Sequence, residues 1–98
     1  ALLHGDLWRG NIGFTEHGPA VFDPSCYYGD REVDIAMTKL FGSFPPQFYQ
    51  TYCSFTPLYS LSSTRHTIYN FYHILNHAII FGGNYFAECK KYAISLLD

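Results

Sequence analysis

Asp6 and Asn11 stand five residues apart in the stretch His4-Gly5-Asp6-Leu7-Trp8-Arg9-Gly10-Asn11, and a further aspartate, Asp23, follows a short apolar segment broken by glycine and proline. A carboxylate can accept the proton of an incoming hydroxyl. An amide oxygen and a second carboxylate can share one hard divalent cation such as Mg²⁺, whose remaining shell is filled by water and phosphate. These are the parts that phosphoryl transfer requires, because its catalysis consists mostly of positioning and charge neutralisation. Asn11 and Asp23 alone read more readily as polar caps on strand ends, since both are common turn residues. Asp6, on the same loop as Asn11, tips the reading towards a site.

A β-hairpin would bring these groups together. Ile12 to Phe14 and Ala20 to Phe22 are short apolar stretches separated by Thr15-Glu16-His17-Gly18-Pro19, which reads as two strands joined by a five-residue turn. That turn pairs Phe14 with Ala20, Gly13 with Val21, Ile12 with Phe22 and Asn11 with Asp23, so the two ligand candidates face each other across the open end of the ladder. Pro24 biases Asp23 towards extended backbone. From Arg31 the period becomes helical through Val33, Met37, Leu40 and Phe41, with Gly42 as a stop. Gln47 to Phe55 is a short helix or an irregular turn. A long helix starts near Ser62-Ser63-Thr64, which supply N-cap candidates, carries Ile68, Phe71, Tyr72, Leu75 and Ile79 on one stripe, and ends at Gly82-Gly83. A last helix spans about Tyr85 to Leu97. The expected fold is α+β and mainly α: a hairpin and catalytic loop followed by several helices, in a single domain over residues 1–98.

Composition narrows the partners. Of 98 residues, 48% are apolar and 14% charged, which favours a packed core over disorder. A net charge of −2 with six Lys and Arg gives no electrostatic footprint for nucleic acid, so an anionic ligand would need a metal ion beside it. Cys26, Cys53 and Cys89 are too few and too scattered for a disulfide scaffold or a zinc knuckle, and read as reduced thiols of a cytoplasmic protein. Cys26, close to the proposed site, is expected to be inert. Near the C-terminal end the longest wholly apolar run is Ala78 to Phe81, far short of a membrane span.

The stretch HGDLWRGN followed by FDPSCYYGDREVDIA resembles the fructosamine kinase (ketosamine kinase) family, a branch of the protein-kinase-like phosphotransferases that includes aminoglycoside and choline kinases. Leu7-Trp8, Phe22-Asp23-Pro24, Tyr27-Tyr28-Gly29 with Arg31-Glu32, Leu40-Phe41-Gly42 and His73-Ile74-Leu75-Asn76-His77 carry the likeness towards the ketosamine branch. Arg9 departs from the small residue expected in its slot. The resemblance implies Asp6 as catalytic base, Asn11 and Asp23 as magnesium ligands that also bind the nucleotide, and Asp34 as a brace for the catalytic loop. It implies ATP and Mg²⁺ as cofactors and ketosamines, free or on glycated protein, as acceptors in deglycation. It also implies an N-terminal lobe with a strand lysine; Lys39, Lys90 and Lys91 all lie downstream of the loop, so the chain reads as a C-terminal catalytic-lobe fragment that turns over little or no ATP alone.

Other residues carry double readings. Trp8 lines a sugar pocket or packs in the core. His4 braces the loop more readily than it catalyses. His73 and His77 have a metal-compatible spacing without a third ligand, which favours packing or substrate contact at the helix face. Two further functions stay open: a kinase for another hydroxyl acceptor, of aminoglycoside or choline type, and a non-catalytic helical interaction remnant prone to self-association.

Overall fold

The computed structural model describes residues 1–59 and 62–97. The chain is mixed α/β and mostly helical. Its first strand, β1 (Leu2–Leu3), pairs antiparallel with β4 (Tyr27–Tyr28), Leu2 opposite Tyr28 and Leu3 opposite Tyr27. Everything between them hangs from that short ladder: the loop from His4, a 3₁₀ turn at Arg9–Asn11, and a hairpin of β2 (Ile12–Thr15) and β3 (Gly18–Val21).

The hairpin differs from the expected one in register. Ile12 pairs with Val21, Gly13 with Ala20, Phe14 with Pro19 and Thr15 with Gly18, so the turn holds two residues rather than five. The Thr15 hydroxyl sets this length, donating to the Gly18 carbonyl at 3.0 Å and accepting the His17 N–H at 3.1 Å. One step further along the ladder, Phe22 donates its N–H to the Asn11 carbonyl. Asn11 therefore faces Phe22, not Asp23.

Helix α1 (Glu32–Met37) is shorter than its apolar periodicity suggested. The Thr38 hydroxyl donates to the Ile35 carbonyl at 2.6 Å, the acceptor that Lys39 N–H would use in a continuing α-helix. Lys39 and Leu40 bond instead three residues back, to Ala36 and Met37, and the helix tightens to a close before Gly42. Pro46, where a missing N–H costs nothing, opens α2 (Pro46–Phe55). Its Phe48 packs edge-on against Phe44 and Tyr49.

The long helix α3 (Ser62–Phe81) and α4 (Tyr85–Leu97) are as expected in extent, and Gly82 and Gly83, at φ +67° and +62°, reverse the chain between them. Ser62, Ser63 and Thr64 lie inside the helix rather than capping it, and residues 60 and 61 lie outside the described residues. The face that α3 buries is not the expected one. Ile68, Tyr72, Leu75 and Ile79 are exposed and Phe71 is half-buried, while His66, Asn70, His73, Ile74 and Ala78 face inward, with α3 packing on α1 and α4. With Leu3, Ile35, Ala36, Met37 and Phe44, Ile74 and Ala78 make the buried apolar core.

Polar side chains reach that interior because α1 supplies partners. Glu32, fully buried, accepts the His66 Nε2–H on Oε1 and the Tyr59 N–H on Oε2, each at 2.8 Å. Lys39 Nζ donates to His66 Nδ1 at 3.1 Å, which requires a ring unprotonated at that nitrogen. Asn70 donates to the Ala36 carbonyl at 2.8 Å. Nearby, Asp30 accepts from Arg65 and Tyr69. Burial pushes the His66 pKa down; Glu32 pulls it up and Lys39 pushes it down further, with a net lowering from 6.5. The unfolded state then binds more protons just below pH 6.5, so stability falls as pH drops through that value and the loss is complete below the folded pKa. Thermal unfolding should therefore show a lower midpoint at pH 5.5 than at 7.5, and His66→Gln should flatten that slope.

Candidate active site

One carboxylate fixes the loop from beneath. Asp34, on α1, accepts the His4 N–H on Oδ2 at 2.8 Å and the Gly5 N–H on Oδ1 at 3.0 Å. Hydrogen bonds to an ionised acceptor are roughly twice as strong as neutral ones, and two on successive amides leave the backbone little freedom. His4 works from the side. Its Nδ1 accepts the Asp6 N–H at 3.2 Å, so Nε2 carries the proton and donates it to the Phe22 carbonyl at 2.8 Å. The His4 carbonyl accepts the Ser25 N–H at 2.8 Å. Gly5, at φ +88°, passes so close to the same segment that a β-carbon there would lie 1.9 Å from the Ser25 carbonyl oxygen.

Held this way, Asp6 and Asn11 touch. Asn11 Nδ2 donates to Asp6 Oδ2 at 3.0 Å and to the Asp6 carbonyl at 2.9 Å. Asn11 is buried and Asp6 half-buried. With the amide nitrogen committed to Asp6, the Asn11 Oδ1 is the atom left for a cation. Asp23 is exposed and stands one residue past the Asn11–Phe22 bond. Its φ of +51° departs from the extended backbone that Pro24 favours; Asp23 is the sole non-glycine residue at positive φ among the described residues. Aspartate tolerates this conformation better than most residues, and such outliers concentrate at ligand sites.

Among the described residues, no group of three or more His, Cys, Asp and Glu is arranged to hold a metal. A cation here would draw on Asn11 Oδ1 and the Asp23 carboxylate and little else of this chain. So sparse a set of oxygen donors suits Mg²⁺, which keeps several waters and takes phosphate oxygens. It does not suit zinc, which wants nitrogen or sulfur ligands in a closed tetrahedron.

Beside Asp6 lies a hollow of about 290 Å³ lined by Trp8, Phe41, His77, Phe81 and Tyr85. The rings meet in series: Trp8 edge-on to Phe41 with centroids 5.5 Å apart, Phe41 to His77 at 5.2 Å, His77 to Tyr85 at 5.3 Å. His77 Nδ1 bonds the His73 carbonyl at 2.8 Å, which settles the ring's orientation and leaves Nε2 as an acceptor when neutral. Trp8 is the lining residue that the loop motif reveals. Phe41, Phe81 and Tyr85 lie outside that motif; the sequence signal for two of them is the run His77, Phe81, Tyr85 at intervals of four, whose geometric sense appears once the Gly82-Gly83 turn folds α4 back.

A family model described as fructosamine kinase matches residues 1–98. The chain belongs to the fructosamine kinase family. It is 58% identical over 90 residues to a probable ketoamine kinase of Vibrio parahaemolyticus, covering 92% of this chain and 31% of that protein. A probable ketoamine kinase of Vibrio cholerae is 50% identical over 98 residues, covering 100% of this chain and 34% of the relative. Among solved structures, a protein described as a fructosamine-3-kinase from Haemophilus somnus superposes with a TM-score of 0.90 at 36% identity, over 100% of this chain and 34% of its own. The chain thus spans about a third of the length of these family members.

For the family's loop the structure makes a stability prediction. Asp34→Ala strands two backbone N–H groups and should destabilise the protein by about 3 kcal/mol in denaturant unfolding, given roughly 1.5–3 kcal/mol for each hydrogen bond to a charged group and partial replacement by water. Gly5→Ala should cost about as much, because its clash is with backbone; an unchanged melting midpoint would contradict the close approach of Gly5 and Ser25.

Proposed function

We propose that the full-length protein carrying this chain transfers the γ-phosphate of ATP to a sugar hydroxyl of a ketosamine, free or on a glycated protein, as part of deglycation. The observation that carries the reading is the direct contact of Asp6 with Asn11 beside the aromatic hollow. Asp6 is the base that receives the acceptor's hydroxyl proton. Asn11 Oδ1 and the Asp23 carboxylate hold Mg²⁺, which supplies positive charge against the phosphate oxygens when bound. Trp8 offers a flat face to the C–H surface of the sugar, His4 and Asp34 keep Asp6 in place, and the hollow's rings exclude water around the reacting hydroxyl. Family membership supports kinase chemistry and a ketoamine acceptor. ATP as donor and three unpaired cysteines are consistent with a cytoplasmic setting.

Catalysis in this scheme needs groups that cradle the nucleotide from the other side, and the 98-residue chain by itself should turn over little or no ATP. Its exposed Ile68, Tyr72 and Ile79 should also make it self-associate in size-exclusion chromatography. In the full-length protein, Asp6→Asn should lower turnover of a fructosamine acceptor by roughly 10² to 10⁴ while sparing ATP binding. Asp23→Ala should abolish Mg²⁺-dependent nucleotide binding, measured by calorimetry with and without the cation. Wild-type turnover by Asp6→Asn would remove the base assignment, and an acceptor panel including choline and an aminoglycoside tests the substrate class.

A further inference from the structure

Residues 38–45 join α1 to α2, and Phe41, near the middle of that connector, is one wall of the hollow beside Asp6. The catalytic loop leans on the same stretch twice. Trp8 meets Phe41 edge-on, and a β-carbon on Gly42 would lie 2.8 Å from Arg9 Nη1, so the arginine side chain crosses the backbone there. Whatever sets the path of the connector therefore sets one side of the site. Its first half is held by the bonds of Lys39 and Leu40 to Ala36 and Met37. From Phe41 to Phe44, among the described residues, no N–H donates to another backbone group.

A side chain holds the far half instead. The Phe44 N–H donates to the Tyr49 hydroxyl at 3.2 Å, and the same hydroxyl stands 2.9 Å from Thr38 Oγ1. Proton counting gives the direction of the second bond. A threonine hydroxyl has one proton, and that of Thr38 goes to the Ile35 carbonyl at 2.6 Å. Tyr49 must then donate to Thr38 while its oxygen accepts from Phe44. One phenol on α2 thus joins the two ends of the segment 38–44, with Phe41 at its midpoint. Thr38 is fully buried at the end of α1, so that end of the tie is fixed to the core. The phenol ring is placed independently of its hydroxyl: Phe48 packs edge-on against it, and Lys39 Nζ lies over its face, 5.4 Å from the centroid. Tyr49 itself does not line the hollow.

We propose that Tyr49 is a positioning residue for the acceptor and acts through Phe41: its hydroxyl ties the ends of the connector and so holds the Phe41 ring against Trp8 and His77, at the edge of the space beside Asp6. The consequence for an acceptor rests on the kinase reading; the control of Phe41 by Tyr49 does not.

The test uses the full-length protein with fructosyl-glycine as acceptor. Tyr49→Phe keeps the ring and its packing and removes only the hydroxyl. Thr38→Val cuts the tie at its other end, leaves the Phe44 bond in place, and decides the matter if Tyr49→Phe does not fold. Each should raise KM for fructosyl-glycine about three- to tenfold, the effect of roughly one neutral hydrogen bond, with KM for ATP unmoved and turnover number within about threefold. Phe41→Ala should raise the acceptor KM as well. Adding Tyr49→Phe to it should then change that KM by less than about twofold, because a residue that acts through Phe41 has nothing left to act on. In the Tyr49→Phe protein the imidazole resonance of His77, whose ring lies 5.2 Å from that of Phe41, should shift. A tyrosine that only stabilises the fold would lower the melting midpoint and leave the acceptor KM alone. Unchanged acceptor KM in every folded single variant of Tyr49 and Thr38, or effects of Tyr49→Phe and Phe41→Ala that multiply in the double variant, would overturn the proposal. A shifted His77 resonance in Tyr49→Phe, together with a wild-type protein that consumes no ATP with fructosyl-glycine, would instead defeat the kinase reading and leave the tie standing.

Discussion

The bond pair from His4 and Gly5 to the Asp34 carboxylate is the constraint on which the rest of the site depends. Asp6 is the next residue, so its position inherits whatever certainty those two amides have. Asp34 lies on α1 beside Ile35 and Ala36, which are buried under α3. The chain of support therefore runs from core to acid through one short side chain: α3 packs α1, α1 presents Asp34, Asp34 grips the loop, and the loop delivers Asp6 against Asn11.

The same core explains why so many polar groups are buried in a small protein. Glu32, Thr38, His66, Asn70 and His73 all lie inside, and four of them are engaged by definite partners. Such groups add little net stability against an apolar alternative, but an unsatisfied one is costly, so the bonds of His66 to Glu32 and of Asn70 to the Ala36 carbonyl specify a single way for α3 to sit on α1. A rotation of α3 by one residue would separate His66 from Glu32 and Asn70 from the Ala36 carbonyl together. What this arrangement supplies is registry, and registry is what a site built across a loop and two helices requires.

Much of this was legible in the residues. The hairpin, the reversal at Gly82-Gly83, the extents of α3 and α4 and the mostly helical character follow from turn residues and helical spacing. Other details did not, for local reasons. The hairpin register depends on a Thr15 hydroxyl closing the turn two residues early, an interaction that Gly and Pro in the same stretch conceal. Periodicity shows that α3 has an apolar stripe through Ile68, Tyr72, Leu75 and Ile79, but it cannot show that partners on α1 make the polar face the inward one. Spacing alone does not show the bond between Asp6 and Asn11, which needs the 3₁₀ turn at Arg9–Asn11 to carry the amide back to the acid, just as the aromatic hollow needs α4 folded back.

The reversal at Gly82-Gly83 decides what α4 can touch. Tyr85 reaches His77 because two glycines reverse the chain at once. A residue added to or removed from that reversal would change where α4 sets out from α3 and carry Tyr85 off the rim. Asp6 and Asn11, near the other end of the sequence, bond within the loop and hairpin rather than to α4. The length of this bend therefore sets the width of the hollow beside Asp6 while leaving the contact of Asp6 with Asn11 as it is.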